Sequence, residues 1–86
     1  MTPIAAAKLV YRDTVFRVIA RQTRDRQPNG LVTPEERAQS IREHIEIEDA
    51  YNEIKRLVHA SGELDAAELV RIIEYSAAVH RDAAAQ

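Results

Sequence analysis

Four closely spaced arginines give this sequence its clearest chemical signal. Arg17, Arg21 and Arg24 recur at spacings of four and three residues, and Arg26 follows them. On a helix, these spacings place the three guanidinium groups on one side, an arrangement that can bind the phosphates of a nucleic acid. Residues 31–86, however, hold twelve acidic residues against six basic ones. We therefore favour a solvated face, or pairing with the acidic run Glu43, Glu46, Glu48, Asp49 and Glu53, over a phosphate-binding stripe.

Nothing in the sequence predicts catalysis or a bound cofactor. Ser40, Ser61 and Ser76 are the serines, and none lies in a glycine-rich phosphate loop or a nucleophile motif. The three histidines are 15 and 21 residues apart, and the sequence has no cysteine. Those spacings do not form a helical metal pair, and a thiolate site is excluded. We expect a non-enzymatic protein with no catalytic residues and no cofactor.

Two octads of similar pattern mark helix starts. They are NGLVTPEE, which ends at Glu36, and SGELDAAE, which ends at Glu68. In each, a capping residue, Thr33 or Asp65, precedes the glutamate by three positions, which is the spacing of a capping box. The side-chain oxygen of the cap accepts a hydrogen bond from the backbone N–H of the glutamate. We interpret the shared pattern as the same helix-start chemistry used twice.

The first octad also resembles the second half of an EF-hand calcium loop. With Gly30 at the sixth loop position, the resemblance implies oxygen ligands from Asp25, Gln27, Asn29, the Leu31 carbonyl, Thr33 and Glu36. The second octad departs from the family pattern, because Gly62 at that position puts Leu57 and His59 at the first and third. Polar residues also hold the apolar positions of both preceding helices. With these departures, a degenerate calcium-responsive helix pair is kept as the second alternative function.

Three long segments without internal glycine predict an all-α fold. We expect helices over about 3–24, 34–60 and 65–82, the first begun by Thr2 as N-cap and the second ended by Gly62. These helices should form a small antiparallel bundle within a single domain that covers the whole chain. We expect the C-terminal tail to fray from about residue 82, because only alanines anchor it.

The middle helix changes its apolar side halfway along. Ala38, Ile41 and Ile45 share one side. The later apolar residues, namely Ile47, Tyr51, Ile54 and Val58, share a side rotated from the first by more than about 100°. We expect a kink or short break near residues 44–48, so that the bundle has three or four helices.

Two residues outside the arginines are predicted to contact a partner. Tyr75 falls on the polar side of the last helix, where an aromatic ring is typical of a partner contact. The alternative is that Tyr75 lies along a neighbouring helix of the bundle. Ile47 begins the second apolar side of the middle helix. With Arg17, Arg21 and Arg24, these residues form the predicted partner-binding set.

The leading functional hypothesis is a small protein-interaction module, acting as an adaptor, inhibitor or regulatory subunit. Nucleic-acid binding through the stripe from Arg17 to Arg26 is the first alternative. No stretch has the length and apolarity of a membrane span or a secretory signal, and the absence of cysteine fits a reducing compartment. We therefore expect a cytoplasmic protein with a protein partner and no membrane contact. A homo-oligomer remains open, because the first helix has a broad apolar face.

Overall fold

The chain folds into three helices. The computed structural model describes the backbone of residues 1–62 and 66–86 and the side chains of all of these except Ala66. The helices are α1 (Pro3–Arg24), α2 (Pro34–Ala60) and α3 (Ala66–Ala84). No strand occurs in the described ranges. The predicted all-α bundle is confirmed, and the described residues form three helices rather than four.

Local capping chemistry begins the first two helices, as predicted. The Thr2 hydroxyl oxygen accepts a hydrogen bond from the Ala5 N–H, at an N···O distance of 3.1 Å. The Thr33 hydroxyl oxygen accepts one from the Glu36 N–H, also at 3.1 Å. Each bond satisfies a backbone donor that has no partner within its helix. The predicted cap at Asp65 lies outside the described residues.

Glycine ends the second helix, also as predicted. Gly62 follows the C-cap residue Ser61 and has a φ of +79°. Its N–H donates to the His59 carbonyl oxygen at 3.0 Å, which satisfies one of the last carbonyl groups of the helix. A left-handed conformation of this kind favours glycine, because a Cβ atom would be strained there.

The expected break in α2 near residues 44–48 does not occur. All residues from Pro34 to Ala60 are helical, over 27 residues. The segment has no internal glycine, and its only proline is at the first helical position, so no residue interrupts the backbone hydrogen bonds. The change of apolar side is real, but it reflects different surroundings along one helix rather than a break in the backbone.

The third helix extends beyond its predicted end. It continues to Ala84, two residues past the expected end at about residue 82. Ala83 is only 4% exposed and belongs to the buried core, against which Phe16 and Ile19 also pack. Burial of this alanine on α1 stabilises the last turn, which the sequence does not indicate because alanine carries a weak apolar signal.

The first helix lies between the other two. α1 has extensive contacts with both α2 and α3, whereas α2 and α3 touch each other much less. Arg17 pairs with Glu46 and Arg21 with Glu43, so α2 runs antiparallel to α1. α3 runs parallel to α1, because Tyr75 contacts Lys8 while Ala83 lies near Ile19. The core consists of Ala7, Tyr11, Val15, Ile54, Val58, Ile72, Val79 and Ala83.

Part of the apolar surface of α2 and α3 does not reach the core. In α2, Ile41 is 57% exposed and Ile45 is 52% exposed. In α3, Leu69 and Ile73 are 40% and 58% exposed. Ile72 and Val79 are buried, so only one part of the broad apolar face of α3 reaches the core.

Candidate interaction surfaces

A buried ion pair between α1 and α2 occupies the centre of the predicted arginine stripe. The Arg21 Nε donates to both carboxylate oxygens of Glu43, at 2.8 Å each. Glu43 is 1% exposed, and the Arg21 side chain is 16% exposed. The hydrogen bond to Glu43 raises the pKa of the Arg21 guanidinium. Of the two alternatives that the sequence favoured for Arg21, a solvated face or pairing with the acidic run of α2, the structure has the pairing.

Arg17 and Arg24 of the stripe also have carboxylate partners. Arg17 forms an ion pair with Glu46 of α2. The Arg24 Nε lies 3.1 Å from a carboxylate oxygen of Asp25, although its side chain is 73% exposed. Hydrogen bonds from Arg24 and then from Arg21 lower the pKa of Asp25. Arg17 and Arg21 therefore pair with the acidic segment, which is one of the two interpretations we favoured.

Several of the oxygens that the EF-hand resemblance implies are already hydrogen-bonded within the loop. The Asp25 carboxylate accepts from Arg21 and Arg24. The Asn29 side-chain oxygen accepts from the Leu31 N–H at 3.1 Å, and Thr33 caps α2. Gln27 and Glu36 lie nearby, along one open cleft. The described residues contain no group of three or more His, Cys, Asp or Glu that could hold a metal ion.

The two apolar residues of the predicted partner-binding set lie against the core. Tyr75 is half-buried, and its hydroxyl donates to the Lys8 carbonyl oxygen at 2.8 Å. Burial raises the pKa of this tyrosine. Ile47 is also half-buried against the core. Tyr75 is therefore the neighbouring-helix contact that the sequence left as its alternative interpretation.

A cluster around Tyr11, which we call the Tyr11 junction, joins all three helices. It comprises Tyr11 of α1, Tyr51 of α2, and Tyr75, Ser76 and His80 of α3. The Tyr11 ring centroid lies 5.8 Å from that of Tyr51 and 6.1 Å from that of Tyr75. Its hydroxyl is 2.6 Å from the Ser76 hydroxyl and 3.1 Å from the His80 Nε2. The hydrogen-bond partners of Tyr11 lie more than 60 positions away in the sequence, so no local signal predicts them.

The outer face of α2 carries the isoleucine pair, Ile41 and Ile45. Glu43 lies between them in sequence and points into α1. Because residues two positions apart on a helix differ by about 200°, both isoleucines point away from α1. At the same end of the molecule, Leu31 and Val32 are 67% and 55% exposed and line an open cleft of about 460 Å³ beside Arg21.

A second outward apolar surface, which we call the α3 stripe, follows one side of α3. It comprises Val70, Ile73, Ala77 and Ala84, all exposed. Val70 is 51% exposed and Ile73 is 58% exposed. Leu69 lies at the edge of the stripe toward the core. The α3 stripe and the isoleucine pair are on different helices.

Comparisons with known proteins leave these surfaces to be interpreted from their own chemistry. The chain matches no protein family, no curated protein and no solved structure. Within the described part of the chain, no helix has the length and apolarity needed to cross a membrane.

Proposed function

We propose that this chain is a non-enzymatic helical interaction module, acting as an adaptor, inhibitor or regulatory subunit. Its partner-binding surface is the outer face of α2, centred on Ile41 and Ile45. The observation that carries the proposal is the position of this pair: two isoleucines, each more than half exposed, on the helix side that faces away from α1. They add nothing to the core, so a contact outside the chain is the physical reason we assign to them.

The surroundings of the isoleucine pair fit a protein interface. Arg42, Glu48 and Asp49 are exposed close to the pair and can form a polar rim around an apolar centre. Burial of the exposed half of each isoleucine would contribute about 1 kcal/mol per residue. A partner helix that places its own apolar residues at spacings of three and four would match the one-turn separation of Ile41 and Ile45.

The other two functional hypotheses have less support. Nucleic-acid binding needs cationic groups that are available to phosphates, but Arg17 and Arg21 are already paired with Glu46 and Glu43. Calcium binding would have to displace two guanidinium groups from Asp25. Exposed arginines such as Arg24 are better placed as peripheral contacts beside a protein partner than as the centre of a site.

A partner-binding experiment with matched variants tests the proposal. The tagged protein is used to capture partners from a lysate of its source cells, with and without nuclease treatment, and the captured protein is then purified and titrated by calorimetry. The variant Ile41→Gln/Ile45→Gln should bind the partner roughly 30-fold more weakly, because the apolar contacts of both isoleucines with the partner are lost. The net charge of the chain stays the same. The control Leu9→Gln/Val10→Gln changes two similarly exposed apolar residues on α1.

The control variant should bind like the wild type. Equal weakening by both variants would show a general apolar effect and contradict the assignment to α2. Binding that disappears on nuclease treatment would instead support the arginine stripe. Unchanged affinity in the Ile41→Gln/Ile45→Gln variant would mean that the partner uses another surface.

A further inference from the structure

The α3 stripe has the spacing of a helix-pairing surface. Val70, Ile73, Ala77 and Ala84 stand at steps of three, four and seven residues, and His80 divides the last step into three and four. Steps of three and four in alternation keep a set of residues on one side of a helix, as in coiled coils. Large residues occupy the first half of the stripe and small ones the second half. A second helix with the same stripe, running in the opposite direction, would therefore place its alanines against Ile73.

The charges beside the stripe are self-complementary in one orientation only. Glu74 and Arg81 are exposed and lie two turns apart along one edge of the stripe. In two antiparallel copies of α3 centred between residues 77 and 78, Glu74 of each copy meets Arg81 of the other. A parallel pair in register would place this edge of the two copies on opposite sides of the contact, so Glu74 and Arg81 would not meet. Glu74 has no hydrogen-bond or ion-pair partner among the described residues, so it is available for this contact.

We propose that two copies of this chain associate through antiparallel pairing of their α3 stripes. The occupant is a second copy because both the apolar sizes and the charges of α3 complement α3 itself, which is the requirement of a two-fold interface. Each Ile73 packs beside Ala84 of the second copy, the two Ala77 residues meet near the centre, and two Glu74–Arg81 ion pairs flank the contact. The interface uses one helix face, so it is smaller than the roughly 800 Å² per partner of a standard interface.

This dimer is separate from the partner-binding surface of α2. A two-fold axis through α3 would leave both isoleucine pairs exposed. The assembly would therefore present two partner-binding faces and could bind a bivalent partner more strongly through avidity. We expect the dimer to dissociate at concentrations on the order of 100 μM, because the contact area is small.

Sedimentation equilibrium of the purified chain tests the inference. The weight-average mass should rise from 9.7 kDa toward twice that value as the concentration increases from about 10 μM to about 1 mM. The variants Glu74→Arg and Arg81→Glu should each weaken association about tenfold. The double variant Glu74→Arg/Arg81→Glu should restore it, because the swapped charges again face opposite charges.

Two further variants separate this inference from the proposed function. Ile73→Gln should keep the chain monomeric across the whole concentration range, with the helical circular dichroism unchanged. Ile41→Gln/Ile45→Gln should dimerise like the wild type, whatever its effect on the partner. A mass that stays at 9.7 kDa for the wild type at 1 mM overturns the inference. So does a dimer that is unaffected by Ile73→Gln, or one in which the double charge swap fails to rescue the single changes.

Discussion

The Tyr11 junction and the Arg21–Glu43 pair hold the same helix α1 by different physical means. At the junction, tilted and edge-on rings from three helices pack around Tyr11, and its hydroxyl contacts Ser76 and His80. At the Arg21–Glu43 pair, one buried carboxylate and one guanidinium join only two helices. An apolar junction contributes stability through burial, whereas a buried ion pair mainly fixes which residues face each other.

The difference explains where the molecule leaves apolar surface uncovered. Around Tyr11, side chains of α3 close the space between the helices. Around Glu43, the polar contact satisfies the inner side of α2 and leaves the isoleucine pair on the outer side with nothing to cover it. The residues that stabilise the fold and the apolar residues that are available for binding therefore lie in different parts of one small bundle.

The largest expected effect is the loss of the Tyr11 ring. Tyr11→Ala should lower the free energy of unfolding by about 3–5 kcal/mol, because a buried aromatic side chain is replaced by a cavity. Tyr11→Phe keeps the ring and should cost only about 1 kcal/mol, from the lost hydrogen bonds to Ser76 and His80. Urea denaturation measures both. Equal losses in the two variants would show that the hydroxyl contacts, rather than ring burial, hold the junction together.

The Arg21–Glu43 pair should show a smaller effect that a second mutation reverses. Arg21→Met leaves the buried Glu43 carboxylate without its partner and should lower the thermal midpoint by roughly 5 °C or more. In the double variant Arg21→Met/Glu43→Met, the charge and its partner are both gone, and most of the loss should be recovered. A double variant less stable than Arg21→Met alone would show that the ion pair itself stabilises the fold. Arg24→Met, a control in an exposed arginine, should change the midpoint little.

The smallest expected effect on the free energy of unfolding comes from the ionisation of Tyr11. This effect is absent near neutral pH and appears only at alkaline pH. Burial is the main cause that raises the pKa of Tyr11 above its ordinary value of 10.0, against a smaller lowering by the Ser76 hydrogen bond. The unfolded chain loses this proton first, so the contribution to stability is complete below pH 10 and is lost as the pH rises through the folded-state pKa.

Urea denaturation from about pH 8 to about pH 11 measures this alkaline loss. Tyr11→Phe should reduce the loss of stability above pH 10, and Tyr75, whose pKa burial also raises, accounts for part of the remainder. An alkaline loss as steep in Tyr11→Phe as in the wild type would exclude Tyr11 as its source.

The helix caps of this chain could be predicted from its sequence. Which apolar sides are covered by another helix could not. The caps at Thr2 and Thr33 and the glycine after Ser61 depend on neighbours within a few residues, and all three were predicted. The burial of Glu43 depends on Arg21, which lies 22 positions away on another helix. A periodic apolar pattern shows that Ile41 and Ile45 share a side, but it does not say whether another helix covers that side.

The α3 helix illustrates the same limit. Its apolar residues extend around a broad face, and their spacing does not indicate which edge of that face meets α1. In the structure, Ile72 and Val79 bury, while Ile73, one position further along, is 58% exposed. Tyr75 was assigned to the polar side by helical phase, yet its long side chain reaches back to the Lys8 backbone.

The most direct test of this account is the free energy of unfolding of the Ile41→Gln/Ile45→Gln variant, measured by urea denaturation at a concentration of about 5 μM. If the isoleucine pair is a binding surface outside the core, the value should match the wild type within about 0.5 kcal/mol. A loss of about 2 kcal/mol or more would mean that the two isoleucines stabilise the fold, and it would contradict the division between the Tyr11 junction and the outer face of α2.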